Sequence, residues 1–248
     1  MNVFVLILKL LLAVIVGYIL FLCICALFVN PKREYDKESK FYRAVLNGFT
    51  AIGLWWMRIR ITVTGAEKVP QNGKLLFVSN HRSNFDPIIT WHVFKRNRIA
   101  YISKAGNFKI PVFGRLIRKC CFMTIDRESP RRAIGTINKA AELLKKQEVS
   151  IGVYPEGTRA KDGVMLPFHN GVLRIAQKAE SPIVVLAISG TEKIHKNYPF
   201  KRSYIHLDVV DVIPAETVIH TKTADLGENM KNKISERLSE IEQTDSHE

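Results

Sequence analysis

Acidic side chains are in short supply in this 248-residue chain, with 23 Asp and Glu against 37 Lys and Arg and a formal charge of +14. That deficit calls for an anionic partner: nucleic acid, a membrane surface or a phosphorylated substrate. Cysteine is scarcer still, at four residues. Cys23 and Cys25 share one apolar run and Cys120 and Cys121 are adjacent in another, so no pair has zinc-ligand spacing or suggests a disulfide framework. All four read as small buried apolar residues in a reducing compartment. A G-x-S-x-G elbow is missing, which argues against a serine hydrolase, and so is an H-E-x-x-H or comparable cluster, so no metal is expected. There is no internal repeat and no low-complexity linker, and the length suits one sizeable α/β core with an appendage.

Charge disappears entirely from one stretch. Residues 10–29 are 20 uncharged positions, which as a helix would span about 30 Å, the hydrocarbon thickness of a bilayer. The run is long for a signal-peptide core and no A-x-A-like site closes it, so a retained membrane helix is expected. Lys32, Arg33, Lys37 and Lys40 follow, and by the positive-inside rule this flank and what comes after it lie on the cytoplasmic side. A membrane surface therefore displaces nucleic acid as the expected partner. Residues 41–61 mix aromatics with Arg43, Arg58 and Arg60, and place Val45, Phe49, Ile52 and Trp56 at helical spacing. Paired tryptophans suit an interfacial helix; an ordinary core helix fits the same periodicity. Residues 1–61 are expected to form an anchor and interfacial helix, and 62–248 the functional domain.

Beyond that point short apolar runs at 61–63, 75–79, 99–102, 120–125, 151–154, 183–188 and 204–212 read as strands. Amphipathic helical patterns lie between several of them, the clearest with Ala133, Ile134, Ile137, Ala140, Ala141 and Leu144 on one face. Leu226, Met230, Ile234, Leu238 and Ile241 mark a last helix. Uninterrupted apolar strands alternating with helices predict an α/β fold, a largely parallel mixed sheet covered on both sides. Sites in such sheets gather beyond the carboxyl ends of strands, where VSNHRSNFDP and VYPEGTR both fall.

Three histidines have an aspartate five residues on: His81 with Asp86, His206 with Asp211, and His220 with Asp225. An odd separation within a strand puts His206 and Asp211 on opposite faces. His220 lies among threonines before the last helix, where Asp225 is placed to cap it. His81 alone directly follows an apolar strand, with a polar turn able to bring Asp86 back beside it. An imidazole base oriented by a carboxylate is the arrangement that removes a proton from an attacking hydroxyl. Asp86 followed by Pro87 also fits an N-cap and first helical residue, a compatible second role. In VYPEGTR, Gly157 permits a tight turn, Thr158 and backbone N–H groups can donate to anionic oxygens, and Arg159 offers a planar fork for phosphate. A plain surface turn with a solvated Arg159 is the competing reading. Gly152 and Gly157 have P-loop separation, but Thr158 and Arg159 replace the required lysine and Pro155 interrupts the loop, which excludes nucleotide hydrolysis. Lys104 and Arg127 are candidates for the same anion pocket.

These motifs resemble those of the glycerophosphate and lysophospholipid acyltransferase family. NHRSNFD matches its Asn-His, four residues, Asp signature through Asn80, His81 and Asp86. VYPEGTR matches its Glu-Gly-Thr-Arg block, Lys104, Pro111, Phe113, Gly114, Asp126 and Arg127 fit the intervening block, and Pro182, Ile183, Val184 and Val185 fit the fourth. The resemblance covers residues 75–188. It implies a membrane-bound enzyme moving a fatty acyl group from acyl-CoA or acyl-carrier protein to the 2-hydroxyl of 1-acyl-glycerol-3-phosphate, with glycerol-3-phosphate or another lysophospholipid as alternative acceptors. His81 would be the base and Asp86 its orienter, while Glu156, Gly157, Thr158 and Arg159, with Lys104 and Arg127, would hold the acceptor phosphate; Asn80 and Gly114 complete the motifs. No metal, cofactor or nucleic acid is implied. A basic, non-catalytic membrane-binding module is the reading from a different class.

Overall fold

The computed structural model describes residues 3–71, 73–126, 130–160 and 163–245. It opens with helix α1 (Val3–Leu27), followed by α2 (Lys40–Trp56) and strand β1 (Ile59–Thr64). The alternation then runs β2 (Leu76–Ser79), α3 (Asp86–Val93), β3 (Ile99–Lys104), α4 (Phe113–Arg118), β4 (Met123–Ile125), α5 (Pro130–Lys145) and β5 (Ser150–Val153). It finishes with α6 (Arg174–Ala179), β6 (Ile183–Ser189), α7 (Ile194–Asn197), β7 (Ser203–Ile213), α8 (Ala215–His220) and α9 (Thr223–Asp245). Every apolar run read as a strand contains one. The fourth did not begin where expected: Cys120 and Cys121 sit in the turn that ends α4, their N–H groups donating to Ile117 and Arg118 carbonyls at 3.0 and 3.1 Å, so the strand starts only at Met123.

The seven strands form one mixed sheet in the order β1-β7-β6-β2-β5-β3-β4, parallel at every junction except β6 with β7. All residues of β2, β5 and β6 are buried, which is why these strands carry no polar alternation. Successive side chains divide between two cores. Phe77, Val184 and Leu186 pack with α2, α3 and α4, whereas Leu76, Val78 and Val185 pack with α5, α6 and α9. Leu226, Met230, Ile234, Leu238 and Ile241 all lie buried on the inner face of α9. The matching stripe on α5 is narrower than its spacing suggests: Ile137, Ala140, Ala141 and Leu144 are buried but Ile134 is 53% exposed.

Helix α1 is long and apolar enough to cross a membrane by length and composition, and most of its large side chains are exposed. Only its last turns enter the protein, where Leu22, Cys25 and Ala26 join the same core as Phe77 and Ile89. Helix α2 has one face packed in the core and one face of exposed apolar residues. Its inner face buries Tyr42, Arg43, Leu46, Thr50 and Leu54, while Phe41, Phe49, Ile52, Trp55 and Trp56 face outward and exposed. The linker ahead of it is tied down by charge. The Glu38 carboxylate is buried and accepts from both Arg43 and Arg98, and Arg43 reaches further to the Ile99 carbonyl at 3.2 Å and lies 4.2 Å over the Trp91 ring. Burial pulls the Arg43 guanidinium down to about 10.

Candidate active site

Four neighbouring parallel strands, β6, β2, β5 and β3, deliver their carboxyl ends to one edge of the sheet; β3 ends on Lys104, and the other three lead within two residues to Thr191, Asn80 and Tyr154. Asn80 follows β2 and is almost wholly buried. Its amide exchanges two hydrogen bonds of 2.9 Å with the backbone of Ile188, donating to the carbonyl and accepting from the N–H, and so extends the ladder to β6 by one side chain. Asn80 thus fixes where the next residue starts.

That residue is His81, whose Nδ1 lies 2.8 Å from Asp86 Oδ2. Asp86 is fully buried, and Oδ2 also accepts the N–H groups of Arg82 and Ser83, each at 2.7 Å, while Oδ1 accepts the Thr191 hydroxyl at 2.5 Å. A carboxylate can only accept, so the contact requires the proton on Nδ1 and leaves the Nε2 lone pair free. Asp86 does not cap α3 as its sequence suggested. Phe85 holds the N-cap position and Asp86 is the first helical residue, its carboxylate turned back to the preceding loop instead of forward to the helix N–H groups. Its buried charge still sits at the positive end of the helix.

The two decoy pairs come apart. Asp211 is 2.6 Å from Lys233 on α9, and His206 is on β7 opposite Ser189. His220 ends α8 and Asp225 lies in the first turn of α9.

From β5 the chain enters Tyr154, whose ring stacks on that of His81 with centroids 4.4 Å apart and planes at 25°. Burial pushes its phenol well up, so it is neutral. Glu156 faces inward. One carboxylate oxygen accepts the His81 N–H at 2.6 Å and the other the Leu166 N–H at 2.8 Å. Burial raises its pKa, and the two N–H donors oppose the rise. Gly157 takes a left-handed φ of +70°, and a Cβ there would meet the His169 ring at 3.1 Å. The turn it makes sends Thr158 and Arg159 outward into solvent.

Gly157, Thr158, Arg159 and Lys104 line one cavity with His81, of about 340 Å³. Four of the five expected anion-site residues among those described are therefore brought together, while the fifth, Glu156, is turned inward to the backbone N–H groups of His81 and Leu166. Arg127 lies outside the described residues. Inward the cavity is apolar, bounded by Trp91, Tyr101, Ile117 and Phe122 and roofed by Leu46 and Thr50 of α2. Gly152 makes room for one wall, since a Cβ there would come within 2.3 Å of the Tyr101 ring. Gly114 serves packing at a distance: a Cβ would meet the Phe108 carbonyl oxygen at 2.5 Å, so only glycine lets α4 lie against the turn before it. No group of three or more His, Cys, Asp or Glu with metal-site geometry occurs among the described residues.

Sequence reading had no means of finding Thr191 or the stacking of Tyr154. Thr191 follows β6 and Gly190, 105 positions after its partner Asp86.

An α/β protein with a carboxylate-held histidine at the carboxyl edge of its parallel strands, set over an apolar cavity with cations at the opening, is the class these features define. The Acyltransferase family profile matches residues 60–189, over half the chain, and the chain belongs to that family. Among curated relatives it is 32% identical to a 1-acyl-sn-glycerol-3-phosphate acyltransferase of Cocos nucifera over 138 residues, 56% of this chain and 44% of that one. It is 28% identical to the human 1-acyl-sn-glycerol-3-phosphate acyltransferase alpha over 228 residues, 91% of this chain and 79% of the relative. Against three such plant relatives the chain spans 44%, 57% and 62% of their length. The crystal structure of a 1-acyl-sn-glycerophosphate acyltransferase from Thermotoga maritima superimposes with a TM-score of 0.70 over 91% of this chain and 89% of that one, at 24% identity, a likeness of fold.

Proposed function

We propose that this protein is a membrane-bound 1-acyl-glycerol-3-phosphate acyltransferase, transferring a fatty acyl group from a thioester donor, acyl-CoA or acyl-carrier protein, to the acceptor 2-hydroxyl to give phosphatidate. The single observation that carries the reading is the 2.8 Å contact of His81 with buried Asp86 at the head of a cavity with Lys104 and Arg159 at its opening. The names of the relatives point the same way.

His81 Nε2 takes the proton from the 2-hydroxyl as its oxygen attacks the thioester carbonyl. Asp86, held by two N–H groups and Thr191, stabilises the imidazolium that forms. Collapse of the tetrahedral adduct expels the thiolate, which takes the proton back from His81. The step balances without a metal, cofactor or acyl-enzyme. Arg159 and Lys104 neutralise the acceptor phosphate, with Thr158 and the Gly157 turn as hydrogen-bond donors. Glu156, a buried anion with both oxygens engaged by N–H groups, is unsuited to touching a phosphate; its role is to position the His81 loop against the Gly157 turn. The apolar cavity takes hydrocarbon. Helix α1 lies in the bilayer with the rest on its cytoplasmic side, the exposed apolar face of α2 at the interface.

An acyl-transfer assay on the purified protein, over a panel of acceptors with both donor types, tests the reading alongside His81→Ala. Turnover with 1-acyl-glycerol-3-phosphate that vanishes in the variant, with membrane attachment intact, is expected. Substantial turnover by His81→Ala would sink the general-base assignment, and a preference for glycerol-3-phosphate would move the acceptor.

A further inference from the structure

The outward apolar stripe of α2 does not stop at the helix. Trp55 and Trp56 are 74% and 60% exposed at its end, and the Trp56 indole donates to the Tyr198 hydroxyl at 2.8 Å, although 142 residues separate them. Tyr198 begins a loop, residues 198–202, between α7 and β7, and Phe200 at its tip is 86% exposed. Arg58 fastens the tip from the α2 side, donating to the Phe200 carbonyl at 3.2 Å. From the loop's own base the Asn197 amide donates to the Arg202 carbonyl, also at 3.2 Å, and the Lys201 N–H donates to the Asn197 carbonyl at 2.7 Å. The loop is thus a built projection. Next to it the sheet edge continues the pattern, since Arg60 on β1 pairs in register with Tyr204 on β7, which is 64% exposed. Lys201, Arg202, Arg58 and Arg60 are all exposed around these rings, with no acidic residue in the loop itself.

Such a patch of exposed aromatic rings is costly in water unless something covers it. Indole and phenol rings flanked by Lys and Arg suit the headgroup layer of an anionic bilayer, where ring bodies meet acyl chains and basic groups meet lipid phosphates. Continuity with the α2 stripe sets the choice of occupant, and the +14 charge supplies the complementarity. Resting on the membrane reading of α1 and α2 given above, we infer that residues 198–202, with Trp55, Trp56 and Tyr204, form a second membrane-docking patch that seats in an anionic lipid surface. The chain is then held at two places far apart in sequence, helices α1 and α2 at its start and the loop that leads into β7. Two-point attachment fixes the tilt of the catalytic domain on the bilayer, which a single helix joined by a linker does not.

The test uses the full chain reconstituted in phosphatidylglycerol–phosphatidylcholine vesicles, carrying an environment-sensitive fluorophore on Phe200→Cys, Ile52→Cys or Lys146→Cys; wild-type protein labelled identically supplies the background of the native cysteines. Nitroxide lipid should quench the label at 200 as it does the label at 52, and leave the label at 146 bright. Quenching at 52 without quenching at 200 overturns the patch and leaves the α2 reading standing; quenching at neither overturns both. A label at 200 shielded from water yet untouched by nitroxide lipid would indicate a second protein copy there, and also overturns the proposal. A kinetic arm is independent of labelling. Charge reversal of Lys201 and Arg202 to Glu should raise the apparent KM for vesicle-borne acceptor about tenfold, from the attraction of basic residues to anionic surfaces, and leave turnover of a monomeric short-chain acceptor unchanged. An equal loss on both acceptors overturns the docking role.

Discussion

The carboxylate of Glu156 accepts the backbone N–H of His81 at 2.6 Å, across 75 residues of sequence. The reverse tie is also present, the Ala160 N–H donating to the His81 carbonyl at 2.8 Å. The two motifs are therefore one structural unit, clamped on both sides of the histidine, and a residue that looks like a ligand group works as a brace.

Glu156→Gln should show what the brace contributes. The amide retains one acceptor oxygen and presents an NH₂ to the other N–H donor, leaving a buried backbone group unpaired at a cost of about 1–3 kcal/mol. Burial holds the wild-type carboxyl above its usual range even though the two brace bonds oppose the rise, so the folded state is favoured most at low pH, where the buried group is neutral, and that advantage declines as pH rises through the folded-state pKa. Urea unfolding at two pH values checks both points: the variant should be less stable overall and should lack that slope.

Thr191 is the prediction least visible in sequence. Thr191→Val keeps the shape and removes the 2.5 Å hydrogen bond to Asp86 Oδ1, and a fall in kcat of about tenfold is expected from the loss of one charge-assisted bond. KM should stay put, and Thr191→Ser should restore turnover. An unchanged kcat in the valine variant would reduce Thr191 to packing.

Arg159→Ala removes the planar fork from the cavity opening. The acceptor KM should rise by about tenfold to a hundredfold, as for loss of a charge-assisted pair, while the donor KM holds. Steady-state kinetics varying each substrate in turn decides it, and an unaltered acceptor KM takes Arg159 out of the phosphate site.

Cys120 and Cys121 are buried, and burial pushes both thiols up to about 12. Since the thiolate is the reactive form, neither should be alkylated in native protein at mildly alkaline pH, and both should be once it is unfolded. Mass spectrometry after a pulse of maleimide reads the result directly.

Much of this architecture is legible in the chain because its central strands are buried on both faces. Residues such as those of β2 and β6 have no polar side to carry, so an unbroken apolar run announces them. The same rule misleads at Cys120 and Cys121, where an apolar turn is indistinguishable by composition from an apolar strand. His81 and Asp86 are readable because a short turn joins them. Thr191, Tyr154 as a stacking partner and Glu156 as a brace depend on which strands lie side by side, and the order β6-β2-β5-β3 is a property of the folded sheet that no local spacing encodes. Asp86 shows the finer limit: Asp-Pro correctly marks a helix start, but the direction of the carboxylate is decided by the N–H groups of Arg82 and Ser83 competing with those of the helix.

Leu46 and Thr50 roof the reaction cavity, while Phe49 and Ile52 on the opposite side of the same helix point outward. On the proposed function, only the thickness of α2 separates the cavity that takes hydrocarbon from the face that lies against lipid. On that arrangement acyl chains would enter sideways past a helix without being lifted through water, and the quantity governing encounter would be the mole fraction of acceptor in the leaflet. Diluting the membrane with inert lipid at constant bulk acceptor should then slow the reaction as removing substrate would.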